Sequence, residues 1–334
     1  MRGQRFLDLL AIGRVSNLPT VWSNMVTGFL LAWAFSGGQK AFIGALPLLL
    51  LLLLGTTFAY LFGTFLNDWK DAEFDDRHRP ERAIPSGRWS RKTIGLISAG
   101  FALASLGCLL PAGSRQPFVP LLGTALLAAI IIYTALHKRT PFAIIPMGMC
   151  RSLLYLMGYC GAVSITVENS GNATGKPDSS ILTIPEGSTI LILVLMAVGI
   201  FSYVAGLTLA ARYESRATEL PFPRIILWAF IFLCVLTHTW WWISQHPSIP
   251  ALFYLLPFLF WTVQSLFILR KSIPGFVSRA LAGLCLLDLL AFAGIAPIIH
   301  TGWHVLDSAP LCLAFIPLSC FLFSILLQRI APAT

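Results

Sequence analysis

The chain consists of ten long apolar runs separated by short polar connections. The runs lie near residues 17–36, 42–66, 92–112, 117–136, 142–164, 188–209, 222–244, 249–270, 278–299 and 308–329. An apolar helix of about 20 residues crosses the hydrocarbon core of a bilayer. Only 11% of the 334 residues are charged, whereas a soluble domain carries roughly 25%. The sequence therefore predicts an all-α, polytopic membrane protein built as a bundle of transmembrane helices.

The basic residues mark one side of this bundle. If the N-terminus is cytoplasmic, nineteen Lys and Arg residues lie in the cytoplasmic connections, three lie on the opposite side and Arg151 lies inside a run. Cytoplasmic loops of membrane proteins collect positive charge in this way. The net charge of +9 therefore encodes topology, and nucleic acid is not expected as a partner. We expect an integral, multi-pass protein of a bacterial inner membrane or an organelle membrane, with its first run retained as a helix.

Six of the 14 acidic residues fall in one polar stretch, NDWKDAEFDDRHRPERAIPSG at residues 67–87. On a helix, the side chains of Asn67, Asp68, Asp71 and Asp75 share one face about 100° wide. Carboxylates four residues apart repel each other, so this face needs a cation. Mg²⁺ suits it, because Mg²⁺ is commonly shared between one or two carboxylates and substrate phosphates. The alternative, a solvated loop of mixed charge, does not explain why the acids share a face.

The stretch therefore predicts a site for Mg²⁺ and phosphate. Its metal ligands are the four residues on the shared face, and the three aspartates among them are the candidate catalytic residues. Guanidinium groups match phosphate oxygens in a bidentate fork. Arginines that follow the acids are thus placed to bind a diphosphate, although some of them also belong to the positive charge that sets the orientation of the protein in the membrane. These arginines are Arg77, Arg79, Arg82 and Arg88.

The motif NDWKDAEFDD followed by RPERAIPSG resembles the first aspartate-rich motif of the UbiA-type membrane prenyltransferases, NDxxDxxxD with an Arg-rich loop ending in PSG. RVSNLPTVWSN at 14–24 resembles the start of that family's first helix, and YTALHKRTP at 133–141 resembles its basic loop after the fourth span. The resemblance covers about residues 10–300 of a single domain, 1–334. It implies nine helices around a central cavity that opens at the cytoplasmic side, with 308–329 as a tenth helix. Within the family, the chain looks like the EboC-like branch.

The resemblance also implies a reaction. An allylic polyprenyl diphosphate binds through Mg²⁺, its diphosphate leaves, and a small, often aromatic acceptor attacks the developing allylic cation within the membrane. Aromatic faces stabilise such a cation, and the candidates here are Phe58, Tyr60, Phe62, Tyr155 and Tyr203. Further substrate contacts are expected at Asn17, Asn67, Lys138 and Arg139.

The family's second aspartate-rich motif is eroded in this chain. Members commonly carry DxxxD after the sixth span, where this chain reads GLTLAARYESRATEL. A weak internal repeat aligns residues 58–71 with residues 201–214. In this alignment Glu214 is the acid that corresponds to Asp71. Three explanations stay open. Glu214 holds a second metal, Arg212 and Arg216 supply substrate-binding positive charge instead, or the protein is a non-catalytic isoprenoid-binding or transport protein that kept the fold.

Two charges lie within apolar runs, Arg151 and Asp288. A charge at mid-span costs roughly 2.5–3.5 kcal/mol on an insertion scale, so it is usually paired or lines a cavity. For Arg151 we predict a contact with the diphosphate or the acceptor, and the alternative is an ion pair with Asp288. For Asp288, acceptor recognition, that ion pair and a neutral carboxylic acid all stay open.

Overall fold

The ten apolar runs of the sequence form ten long helices, α2 to α11, in the part of the chain that the structure describes. In this computed structural model, the described residues are 2–35, 42–114, 116–174, 187–214, 220–245, 249–302 and 309–331. The helices are α1 (Arg2–Ile12), α2 (Leu18–Phe35), α3 (Phe42–His78), α4 (Arg91–Leu109), α5 (Phe118–Leu136), α6 (Ile144–Thr174), α7 (Gly187–Ala211), α8 (Ile225–Gln245), α9 (Ile249–Leu269), α10 (Ile273–Gly302) and α11 (Ala309–Leu327). The predicted all-α membrane bundle is confirmed.

Six helical segments of the described residues are long and apolar enough to cross a membrane. They are Leu46–His78, Arg91–Gly113, Phe118–Leu136, Pro141–Val163, Ile190–Ala211 and Ile273–Ala291. Large apolar side chains face outward, such as Leu103 and Phe232, which are 70% and 68% exposed. A soluble protein rarely exposes an extended apolar surface of this kind. The chain is therefore an integral, multi-pass membrane protein, while the number of crossings and the orientation stay predictions.

Helix α2 occupies the middle of the bundle, where it contacts α3, α6, α10 and α11. Its contact with α6 is a contact between backbones. A Cβ atom added to Gly28 would collide with the carbonyl oxygen of Tyr155, and one added to Gly158 would collide with that of Met25. Small residues permit such close approach of helices in membranes. The two glycines therefore fix how closely α2 and α6 pack.

One end of the bundle, here called the polar end, consists of α1, the last turns of α3 and the connections 79–90 and 137–140. Helix α1 was not predicted from the sequence. Its Asp8 is 5% exposed and accepts two hydrogen bonds from Arg88, at 2.8 Å from Nε and 3.0 Å from Nη2. Gly87 turns the same connection with a φ of 75°, which glycine adopts without steric cost. The Arg-rich connection that ends in PSG is thus tied to α1.

Candidate active site

A cavity of about 310 Å³ extends from the polar end into the bundle, between α2, α3, α5, α6, α7 and α10. Apolar side chains line its interior, among them Leu126, Ile130, Leu154, Val204, Leu281 and Leu284. Nine charged side chains line it, and six of them at the polar end are here called the charged pocket: Arg14, Asp71, Asp75, Arg79, Arg82 and Lys138. Such a cavity fits an amphiphile that has an apolar body and an anionic head, since apolar walls hold the body and a few polar groups orient the head.

The predicted acidic face of α3 lines this cavity. Asn67, Asp71 and Asp75 all belong to its wall, as their spacing of four residues requires. Thr134 donates a hydrogen bond of 2.8 Å to Oδ1 of Asn67. Oδ2 of Asp71 lies 2.9 Å from the ammonium nitrogen of Lys138. The acids of α3 therefore face the connection that follows α5.

Each acid of this face is engaged by a basic residue. His137 Nε2 lies 3.1 Å from the same oxygen of Asp71 that Lys138 contacts. Arg82 Nη1 lies 2.9 Å from Oδ2 of Asp75. Burial lowers the pKa of Lys138, against the raising effect of Asp71. The repulsion between acids that the sequence predicted is thus balanced by cations from two connections.

Asp68, the remaining predicted acid, lies beside this face and off the cavity wall. Its Oδ1 is 3.6 Å from Arg14 Nη2 and 3.5 Å from Arg82 Nη1. Arg14 does line the cavity, with an unusual left-handed φ of 41°, and Tyr60 donates a 3.2 Å hydrogen bond to its carbonyl. Burial alone would lower the pKa of Arg14, but the neighbouring Asp68 carboxylate raises it above its ordinary value. A strained residue held in this way is typical of a functional site.

Arg14 was missed as a site residue in the sequence. The available signal was its place three residues before Asn17, in the segment that resembles the start of the family's first helix. Asn17 is itself on the cavity wall, as predicted, and is 3% exposed.

The residues on the wall fit one Mg²⁺ that is shared with a substrate phosphate. Among the described residues, no three His, Cys, Asp or Glu side chains converge into a preformed metal cluster. Mg²⁺ does not require one, because it usually keeps several waters and takes one or two carboxylates together with phosphate oxygens. Asp71 and Asp75, one helical turn apart on the wall, supply such carboxylates, and Asn67 adds an amide oxygen.

The region of the eroded second motif has a structural role that the sequence did not reveal. Arg212 and Glu214 both line the cavity. Arg212 Nη1 donates hydrogen bonds to the carbonyl oxygens of His137, at 3.1 Å, and of Thr140. The arginine therefore anchors the connection that carries Lys138. Arg216 lies outside the described residues.

The two charges predicted at mid-span lie close together without contacting each other directly. Arg151 lines the cavity, while Asp288 is fully buried behind the wall. Asn24 separates them, since it accepts a hydrogen bond of 2.9 Å from Arg151 and donates to both carboxylate oxygens of Asp288. Of the three predicted alternatives for Asp288, the direct ion pair does not form and Asp288 is not on the cavity wall, while a neutral carboxylic acid stays open.

Several predicted substrate contacts do not lie on the cavity wall. Arg77 and Arg139 are exposed. Arg77 lies two residues after Asp75 on α3, off the helical face on the wall, and Arg139 lies in the connection after α5. Arg88 is held by Asp8. Tyr203 is buried and donates to the carbonyl oxygen of Ala280 at 2.9 Å. Among the five aromatic candidates, Tyr60 lines the cavity.

Fold and site together define a membrane helical bundle whose apolar cavity ends in paired acids and bases. The sequence profile of the UbiA prenyltransferase family matches residues 24–202, which is more than half of the chain. The chain belongs to this family, and the predicted resemblance is confirmed. Its placement in the EboC-like branch stays a prediction.

Two known proteins are similar to this chain. It is 32% identical over 139 residues to digeranylgeranylglyceryl phosphate synthase of Methanothrix thermoacetophila, a match that covers 41% of this chain and 48% of the relative. The chain thus spans about half the length of that relative. A solved structure of digeranylgeranylglyceryl phosphate synthase in membranes superposes with a TM-score of 0.50 at 15% identity, covering 97% of this chain and 98% of the other. That likeness concerns the fold alone.

Proposed function

We propose that this protein transfers a polyprenyl group from an allylic polyprenyl diphosphate to a small acceptor within the membrane, in a reaction that depends on Mg²⁺. The observation that carries the proposal is the position of Asp71 and Asp75. They lie on one wall with Arg14, Arg82 and Lys138, where an apolar cavity ends. Membership of the family supports the same reaction class.

The ion pairs of the charged pocket contain the two kinds of group that a diphosphate site needs, which are cations for the phosphate oxygens and carboxylates for Mg²⁺. Lys138 and Arg82 contact Asp71 and Asp75 in the structure. A bound diphosphate offers these cations stronger partners, since phosphate oxygens form short, charge-assisted hydrogen bonds. Asp71 and Asp75 would then be free to hold Mg²⁺, which would neutralise charge on the leaving diphosphate. The pairing thus balances each of these two carboxylates with a cation that can exchange it for a phosphate oxygen.

The reaction itself breaks the bond between C1 of the prenyl chain and the diphosphate oxygen. The diphosphate leaves with the electron pair, and the acceptor's nucleophilic atom forms a bond to C1 and loses a proton. Arg14, Arg79 and Arg82 stabilise the charge that grows on the leaving group, in a site screened from water. Tyr60 also lines the cavity, and its aromatic face can stabilise positive charge at C1. The apolar interior holds the chain.

The test is diphosphate release by purified protein. Geranyl, farnesyl, geranylgeranyl and longer allylic diphosphates would be supplied with and without Mg²⁺, and with a pooled extract as the source of acceptors. We expect Asp71→Asn to lower release by about 100-fold or more, the scale of losing one group that stabilises a transition state. Glu73→Gln is the matched control, because Glu73 is an acid of the same stretch whose side chain is 82% exposed and pairs with Arg91. Normal release by Asp71→Asn would overturn the metal assignment.

A second candidate function is the binding or transport of an isoprenoid without catalysis. The eroded second motif favours it, because Arg212 there contacts backbone carbonyls rather than replacing an aspartate. Binding of the same diphosphates that requires Mg²⁺ but never releases diphosphate, with any acceptor fraction, would identify this function.

A further inference from the structure

A cluster of polar side chains lies within the apolar bundle, at the wall of the cavity. It joins three helices of the apolar bundle: Asn24 of α2, Arg151 and Tyr155 of α6, and Asp288 of α10. Tyr155 donates its hydroxyl proton to Oδ1 of Asp288, and Asn24 donates to both carboxylate oxygens at 2.9 Å. The carboxylate therefore fixes the orientation of the Asn24 amide, whose oxygen points to Arg151.

Arg151 is the member of the cluster that faces the cavity. It is 8% exposed and contributes to the wall beside Leu154 and Leu284. A guanidinium group has five N–H donors, and Arg151 uses one nitrogen, Nη1, in a 2.9 Å hydrogen bond to a neutral amide. No acidic side chain of the described residues lies within 4.0 Å of it. A buried charge without a charged partner is costly, so its remaining donors are available to a ligand.

The position of Arg151 separates it from the diphosphate site. It lies seven residues into α6 from Ile144, about 10 Å deep at 1.5 Å per residue. Tyr60, which lines the same cavity as Arg151, precedes Asp71 by eleven residues on α3, which is about 16 Å. A diphosphate held at Asp71 therefore leaves Arg151 free for a different group.

We propose that Arg151 binds a carboxylate group of the acceptor, with Asn24, Tyr155 and Asp288 as positioning residues behind it. The inference rests on the proposed prenyl transfer for calling the ligand an acceptor. A carboxylate matches the planar guanidinium in a bidentate pair. A carboxylate also matches the charge of the site. One guanidinium with the buried Asp288 nearby balances a single negative charge better than the two charges of a phosphate. Bound this way, the acceptor extends its other end toward the charged pocket, where C1 of the prenyl chain is expected.

Benzoate and benzamide test this proposal, because they have the same shape and differ in charge. Their binding to the full chain in nanodiscs would be titrated by saturation-transfer NMR, independently of turnover. We expect the wild type to bind benzoate about tenfold more tightly than benzamide, the scale of a hydrogen-bonded charge pair. Arg151→Met should abolish this preference and leave benzamide binding unchanged. Arg151→Lys should restore part of it, since it keeps the charge without the bidentate fork. Arg224→Met removes an exposed arginine that does not line the cavity and should change nothing.

The positioning role is tested separately by Asp288→Asn. An amide at this position no longer fixes the orientation of the Asn24 amide, whose oxygen and nitrogen can then exchange places. Benzoate binding should weaken several-fold, while Mg²⁺-dependent binding of farnesyl diphosphate at the charged pocket should not change. Should Arg151→Met fail to fold, Arg151→Lys carries the test, and an unaltered preference in that variant counts against the proposal. Equal binding of benzoate and benzamide by the wild type would overturn it. Dependence of benzoate binding on Arg151 in a protein that never releases diphosphate would instead overturn the proposed function and leave the carboxylate site standing.

Discussion

At the scale of single residues, the pair Asp8 and Arg88 shows how the charged pocket is held in place. Arg88 is bonded to both oxygens of Asp8 and also donates to the carbonyl oxygen of Glu81 at 2.9 Å. One side chain therefore joins α1 to two points of the connection 79–90, which carries Arg79 and Arg82 to the cavity wall.

The Asp8→Asn variant should loosen this connection. A neutral amide retains at most one of the two hydrogen bonds from Arg88 and loses the charge, so the connection should open more often. We expect several-fold faster limited cleavage by trypsin after the arginines of 79–90 and a higher KM for the diphosphate. Glu73→Gln, which breaks an exposed pair that contributes little, is the control. Equal cleavage of the two variants would show that Asp8 does not hold the connection.

The residue scale also shows what sequence could and could not predict. Asn67, Asp71 and Asp75 were predicted to share a face, and they line the cavity together, because helical periodicity is a local property of the chain. The contacts between Asp71 and His137 or Lys138 join residues more than 60 positions apart. Such contacts depend on how α3 and α5 pack, which no local pattern encodes. Asn24 was missed for the same reason, since its partner Asp288 is 264 residues away.

At the scale of helices, the apolar runs predicted the bounds of most elements within a few residues, because length and hydropathy alone select a membrane helix. Three helices differ: α3 ends at His78 rather than near 66, α6 ends at Thr174 rather than near 164, and α10 begins at Ile273 rather than near 278. Near the start of α10, the charge of Arg279 is accommodated by side chains of α9. Its guanidinium is 3.7 Å from the ring centre of Trp261 and 3.0 Å from Oε1 of Gln264. Helix α1 was not predicted, because its eleven residues are partly polar and too few to form an apolar run that crosses a membrane.

The contact between α2 and α6 yields a prediction about helix packing. Gly158→Ala places a methyl group against the carbonyl oxygen of Met25, so the helices must separate. Overpacking of this kind costs about 1–3 kcal/mol, and we expect a lower melting temperature in detergent. Gly100→Ala in α4 is the matched control, because a Cβ atom there meets nothing within 4 Å and removing a helical glycine gains about 0.5–1 kcal/mol. A Gly158→Ala variant as stable as Gly100→Ala would contradict the close contact.

At the scale of the whole molecule, the charged pocket and the topology depend on the same basic residues. The arginines and lysine that line the pocket all belong to the set that the positive-inside rule assigns to the cytoplasm. Helix α4 spans 19 residues, about 28 Å, and so separates the connection 79–90 from residue 116 by the thickness of a bilayer. The orientation of the protein therefore decides from which side a water-soluble diphosphate head reaches the pocket.

Cysteine labelling of spheroplasts measures this orientation. Glu81→Cys lies on the exposed part of the connection 79–90, and Gln116→Cys lies beyond the opposite end of α4. A membrane-impermeant maleimide should label Gln116→Cys in intact spheroplasts and Glu81→Cys only after lysis, with the wild type correcting for the natural cysteines. In the proposed function the same basic residues face the cytoplasm and bind the diphosphate, so the reverse pattern would place the charged pocket outside the cell. It would separate the pocket from cytoplasmic diphosphates and contradict the orientation and the proposed substrate together.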